Sequence, residues 1–316
     1  MNEQEKPAEK TSDIVEKRKN KFKNWINDPY NLTLIGILIF ATIVRLYFFN
    51  LTKNQPLWWD ESDYMAYAKN LAGFNVDWIV TPQHNSLFPY LAALFFKIGF
   101  SEVVAKFFLV VLPSILLVFL TYKICTLMYN DKKIALVSTF LMATFWEILF
   151  NSMRFHIDNL ALLLGFLAIY IFWQGYEKKE KIFGRLDQKF AIILTVFFVV
   201  LSYSIRRAYF IFGFFFLVYM LLTKKFGGLV KNKYNLSALF FAAILIFLAE
   251  ELIFISPIAY VAGTYFHPEA PINLVPFQIF SAYFTNISNS LASILLYLFW
   301  IGIIIIGLNI FFSLGY

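Results

Sequence analysis

With one cysteine in 316 residues, Cys125, the chain has no internal disulfide, and nothing suggests a thiol site or a metal cluster. The first thirty residues lack the short apolar core and small-residue cleavage site of a secretion signal. They read instead as a Lys/Glu-rich polar tail. Charge is sparse, at 15% of residues, and its balance is basic, with a net +7 and a pI near 9.2. That excess invites a nucleic-acid reading, which its distribution along the chain removes.

What fills the chain is apolar. It is 60% hydrophobic, holds 39 phenylalanines and has a mean hydropathy of +0.66, whereas soluble domains are about half apolar. This composition marks an all-α polytopic membrane protein. Runs long enough to cross about 30 Å of hydrocarbon fall near 31–50, 107–124, 134–152, 158–175, 190–205, 208–223, 236–256 and 291–312. These predict eight transmembrane helices with both termini on one side. A basic tail (1–30) precedes the membrane domain (31–316), whose first loop spans 51–106. Within that loop Leu87–Phe100 is too short for a span and reads as an amphipathic helix at the interface.

On this topology 19 of the 27 cations share the side of the N-terminal tail, while the 20 acids divide equally. The positive-inside rule then places the tail in the cytoplasm. The basic pI is therefore a topological signal suited to anionic inner-leaflet lipids, not to nucleic acid.

The unusual polar residues then converge on the outer end. Asp60, Glu61 and Asp63 lie in the first loop, flanked by Trp58 and Trp59. Arg154, His156 and Asp158 fill the turn between the third and fourth spans, and Arg206-Arg207 the turn between the fifth and sixth. Arg45, Glu147, Glu250 and Glu251 sit in the outer thirds of their spans, with His267 and Glu269 beyond. Ionisable groups at membrane depth are costly and usually pair or line a cavity. Structural readings compete: Arg154 and Asp158 are spaced for an i,i+4 ion pair, the arginine pair suits snorkelling, and the tryptophans suit an aromatic belt.

The pattern Asp60-Glu61-x-x-Tyr64-x-x-x-Ala68-x-x-Leu71, followed by Gly73-x-x-x-Asp77-Trp78 and Ser86-Leu87-x-x-Tyr90, resembles the first extracytoplasmic loop of the GT-C superfamily. The likeness is to the polyprenyl-phosphate-sugar-dependent glycosyltransferases among them, such as dolichyl-phosphate-mannose protein mannosyltransferases and lipid A aminoarabinose transferases. It runs through Arg154-x-x-x-Asp158, which looks like a second arginine–acid pair of those enzymes, and covers roughly residues 31–220. The chain departs from them at His84-Asn85-Ser86, where relatives carry proline and sometimes lysine, and at Lys106, where arginine is common. Relatives also have more spans and often a soluble C-terminal domain, so the chain reads as a truncated or minimal member.

The resemblance implies an inverting transfer of sugar from a polyprenyl-phosphate donor to a protein, lipid or glycan hydroxyl. A carboxylate beside that hydroxyl takes its proton, which makes Asp60 the candidate base. Glu61 and Asp158 are then partner acids. Arg154, Arg206 and Arg207 can engage the departing phosphate bidentately. Trp59, Tyr64, His84 and Glu250 are candidate sugar or acceptor contacts. No metal is required because no nucleotide diphosphate needs neutralising, although the acids could bind one. A lipid-linked-sugar flippase and a non-catalytic subunit of an envelope or glycosylation complex remain open.

The cation split gives an orientation test. In a Cys125→Ser background, Ser62→Cys should label with an impermeant thiol reagent on intact cells and Gly228→Cys should not. The reverse pattern would move every candidate residue to the cytoplasm.

Overall fold

The computed structural model describes residues 25–57, 59–76, 86–223 and 233–252. Among these residues the chain is helical apart from turns and an isolated bridge between Ile182 and Leu186. Helix α1 is Pro29–Thr52, α2 Asp60–Ala72 and α3 Leu87–Lys97. Helix α4 is Glu102–Tyr129, α5 Lys132–Thr144 and α6 Trp146–Met153. Helix α7 is Asp158–Glu177, α8 Gln188–Ile205, α9 Arg207–Leu222 and α10 Lys233–Leu252.

The boundaries follow from local chemistry. Asp28 accepts the Tyr30 N–H at 3.0 Å, and Pro29 begins α1, where its missing N–H costs nothing. Three acids in the first turn of α2 suit its positive N-terminal end, and Gly73, at φ +94°, closes it. Ser101 caps α4, and Asp131 caps α5 through the Lys133 N–H at 2.7 Å. Asn130, left-handed at φ +53°, turns the chain between them.

Helices α1, α4, α7 and α8 are long and apolar enough to cross a membrane, and the bent pair α5–α6 makes a fifth if taken as one span. The protein is therefore a membrane protein. The runs expected at 208–223 and 236–256 appear as shorter apolar helices, Arg207–Leu222 and Leu236–Ala249, and 291–312 lies outside the described residues. The run read as an unbroken span over 134–152 is bent by 45° between Thr144 and Trp146, where Phe145 is extended.

Arg45 occupies that bend. It is fully buried, and its Nε donates to Ser114 Oγ at 3.0 Å. Its Nη1 donates to the Ala41 and Ala143 carbonyls at 3.2 and 3.1 Å. Ala143 is in the last turn of α5, whose carbonyls lose their helical partners at the break, so the guanidinium caps it. Arg45 is thus a clamp between α1, α4 and α5, and no carboxylate is among these partners.

Small residues set the helix contacts. Ala68, Ala92, Ala105 and Ala161 are all fully buried and let α2, α3, α4 and α7 approach closely around Phe88 and Phe155. The loop helix α3 buries Phe88, Ala92 and Phe96 and exposes Leu94, in keeping with an apolar face laid on the bundle. In α7 a Cβ added at Gly175 would stand 2.5 Å from the Ala191 Cβ of α8. Gly175→Val should lower the melting temperature in detergent, with overpacking costing about 1–3 kcal/mol. Gly36→Ala, where nothing lies within 4 Å, should leave it unchanged; equal melting of both variants would refute the tight α7–α8 contact.

Candidate functional site

The constellation assembles at the bundle end where α1 finishes and α4 and α7 begin. Thr52 Oγ1 donates to the Met153 carbonyl at 3.1 Å, tying the end of α1 to that of α6. Lys106 Nζ donates to the Thr52 carbonyl at 3.5 Å and brings in α4. Arg154 follows Met153 directly, so these bonds fix its position. A turn of π-helix, Phe107–Val111, follows Lys106; such turns often mark functional positions.

Helix α2 lies across this end. Tyr64 packs edge-on against Phe88, whose ring in turn meets Phe155 at 4.8 Å between centroids. Anchored there, the first turn of α2 places the Glu61 carboxylate on Arg154 Nε, the two forming a buried ion pair. Burial pushes the Glu61 carboxyl above the usual carboxylate range, against the opposing pull of Arg154, Lys106 and His156.

Asp158 opens α7 and gathers a second group. It pairs with Arg206 from the turn after α8. His156 Nδ1 lies 2.6 Å from Oδ2, and the Tyr209 hydroxyl donates at 3.2 Å to Oδ1, the oxygen that Arg206 engages. The two groups adjoin, because Tyr64 lies in electrostatic reach of Asp60, Arg206, Asp158 and Asp63. Burial first, and then Asp60, hold the Tyr64 hydroxyl protonated well above the ordinary tyrosine range.

The i,i+4 pair that the spacing of Arg154 and Asp158 allows does not form: Arg154 pairs with Glu61 and Asp158 with Arg206. Asp158 is the first residue of α7, whereas Arg154 is extended and precedes the turn that leads into it. Without helix between them, the spacing no longer puts both on one face, and each takes a partner from another element.

Asp60 is half-buried in the first turn of α2. The Trp59 before it is 81% exposed and holds a positive φ of 54°, a strained conformation for a bulky residue. Arg207 is exposed beside Arg206. Tyr64 is 5% exposed and belongs to the core under the site, not to its surface. Glu250 lies in the last turn of α10, its side chain outside the described residues, as are Trp58, His84, His267 and Glu269 in full. Among the described residues no group of three or more His, Cys, Asp or Glu is arranged to hold a metal ion.

Tyr209 and Lys106 join the constellation without having been singled out as site residues. Tyr209 has a visible signal, its place two residues after Arg207 in the same tight turn. Lys106 has one too, its place where arginine is common in the enzymes that the first loop resembles.

No family model, curated protein or solved structure matches this chain. The geometry therefore stands alone.

Double-mutant cycles measured by unfolding in detergent test the pairing. Glu61→Gln with Arg154→Gln, and Asp158→Asn with Arg206→Gln, should each show a coupling of about 1 kcal/mol or more. The Arg154–Asp158 cycle should show less than either. A larger Arg154–Asp158 coupling would restore the local pair and overturn the arrangement.

Proposed function

We propose that the chain is a membrane glycosyltransferase of GT-C type, moving a sugar from a polyprenyl-phosphate donor to an acceptor hydroxyl. In this reading the chain has eight spans, a cytoplasmic N-terminus and a site on the extracytoplasmic side. The observation that carries it is the gathering of Asp60, Glu61, Lys106, Arg154, Asp158 and Arg206 at one membrane-boundary end. Charges from α2, α4 and α7 and from two short turns converge there, next to an exposed tryptophan. The resemblance of the Asp60-Glu61 loop to that superfamily points the same way.

The residues divide by environment. Glu61 and Asp158 are engaged with Arg154 and Arg206, so they hold the site's shape and its cations. Asp60 is half-buried at the mouth and serves as the base. The acceptor oxygen bonds to the anomeric carbon as the bond from that carbon to the phosphate oxygen breaks. The acceptor proton passes to Asp60, and the electron pair leaves with the polyprenyl phosphate. Arg206 and Arg207, at the turn facing the same end, compensate that phosphate, since a guanidinium fork matches phosphate oxygens. The lipid-facing flanks rich in phenylalanine give the polyprenyl tail an apolar path. Trp59 is placed to stack on a sugar ring.

A second reading, movement of a lipid-linked sugar across the bilayer, draws on one observation: the buried Arg45 at the broken α5–α6 span. Transporters use broken helices and intramembrane charge in this way. It predicts translocation into vesicles without transfer.

Purified full-length protein should transfer sugar from a polyprenyl-phosphate sugar and ignore the nucleotide sugar. Asp60→Asn should cut turnover by about 10² or more while donor binding persists. Transfer from the nucleotide sugar alone would sink the donor assignment. Unchanged turnover in the Asp60 variant would pass the role of base to Asp158 or to the Glu250-Glu251 pair.

A further inference from the structure

The end of the bundle away from the acid–arginine constellation holds a cavity of about 340 Å³ between the far ends of α4 and α7. That volume is at the small end of ligand pockets. Its walls include Lys123, Thr126 and Asn130 on one side, and Gln174, Lys178 and Glu180 on the other. Three observations show it to be more than a gap between helices.

First, Thr126 differs from the three buried threonines of the bundle. Thr121, Thr139 and Thr195 return their hydroxyls to the carbonyl four residues back, at 2.8, 2.6 and 2.8 Å, as buried helical threonines do. Among the described residues Thr33, Thr52, Thr144 and Thr223 do the same. The Thr126 oxygen is buried, lines the cavity and has no hydrogen-bond partner. An unmet buried hydroxyl costs about 1–3 kcal/mol unless something answers it.

Second, Lys123 and Lys178 both line the cavity, and among the described residues no carboxylate lies within ion-pair distance of either. Third, α7 widens into a π-helix over Phe172–Glu177, which brings Gln174 and the following Lys178 to the cavity wall. The Gln174 amide oxygen accepts the Phe183 N–H at 3.1 Å, so this wall is fixed.

Two lysines, a hydroxyl and the Asn130 amide form a donor set suited to a phosphate group, because charge-assisted bonds to phosphate oxygens are the strongest such groups make. Glu180, on the same wall, can accept from an ammonium or hydroxyl carried next to that phosphate. The cavity lies at the ends of two helices long and apolar enough to cross a membrane, on the end of the bundle that carries Lys132, Lys133, Lys179, Lys181, Arg185 and Lys189. The geometry points to a phosphate-ester site here, filled by the headgroup of a glycerophospholipid of that leaflet. It is separate from the proposed transfer site and does not depend on it.

Native mass spectrometry of the full chain, delipidated and then titrated with single lipids, tests this. Phosphatidylethanolamine or phosphatidylglycerol should be retained as one molecule, and diacylglycerol, which lacks the phosphate, should not. Lys123→Ala with Lys178→Ala should weaken retention at least about ten-fold, the loss of two charge-assisted contacts. Thr126→Val, which keeps the shape and removes the hydroxyl, should weaken it several-fold without lowering the melting temperature of the delipidated protein. Displacement of the lipid by millimolar glycerol phosphate or inorganic phosphate would identify the site as one for free phosphate esters. No displacement would assign it to the lipid. Equal retention by the wild type and the lysine variant, or equal retention of diacylglycerol, would overturn the proposal.

Discussion

Two charges brought together at the edge of a bilayer must be paired or they cannot be buried, and the Glu61–Arg154 pair imposes that condition on this structure. Desolvating either ion alone costs several kcal/mol. The chain accordingly supplies each with a fixed approach. Arg154 is held by the bond from Thr52 to the carbonyl of Met153, and Glu61 by the seating of α2 on Phe88 and Phe155. Remove the aromatic seat and the carboxylate has no position; remove the α1–α6 tie and the guanidinium has none. Lys106 joins the same network through the Thr52 carbonyl, so one end of α1 organises cations from two other helices.

The second group depends on the same logic with different parts. Asp158 receives Arg206, His156 and Tyr209, so its charge is answered from three directions. Asp60, in the first turn of α2 after the strained Trp59, is half-buried, whereas Glu61 beside it is buried. Arg45 shows the alternative fate of an intramembrane cation. It answers the carbonyls that the break at Phe145 leaves without helical partners, and so turns a backbone defect into a joint between three helices.

Much of this was legible beforehand. The spans read from apolar runs coincide with α1, α4, α7 and α8 because hydrocarbon thickness dictates helix length, and composition alone reports that. The gathering of Asp60, Glu61, Arg154, Asp158 and Arg206 at one end followed from counting spans, since alternate loops must share a side. The bend at Phe145 was not legible. No proline or glycine marks it, and what stabilises it is Arg45, distant in sequence.

Sequence by itself determined that this chain is a helical membrane protein and which residues share an end of it, because those properties depend on local hydropathy and on the parity of crossings. Only the tertiary structure decided who pairs with whom. Arg154 and Asp158 are four apart and invited a local pair, but Arg154 is extended and the chain turns before α7 begins at Asp158, so no helix joins the two. Their partners come from 93 and 48 residues away, respectively. Ion pairing is set by distance through space, and at this end of the bundle that distance is fixed by how α2 and the turn after α8 pack onto the ends of the other helices.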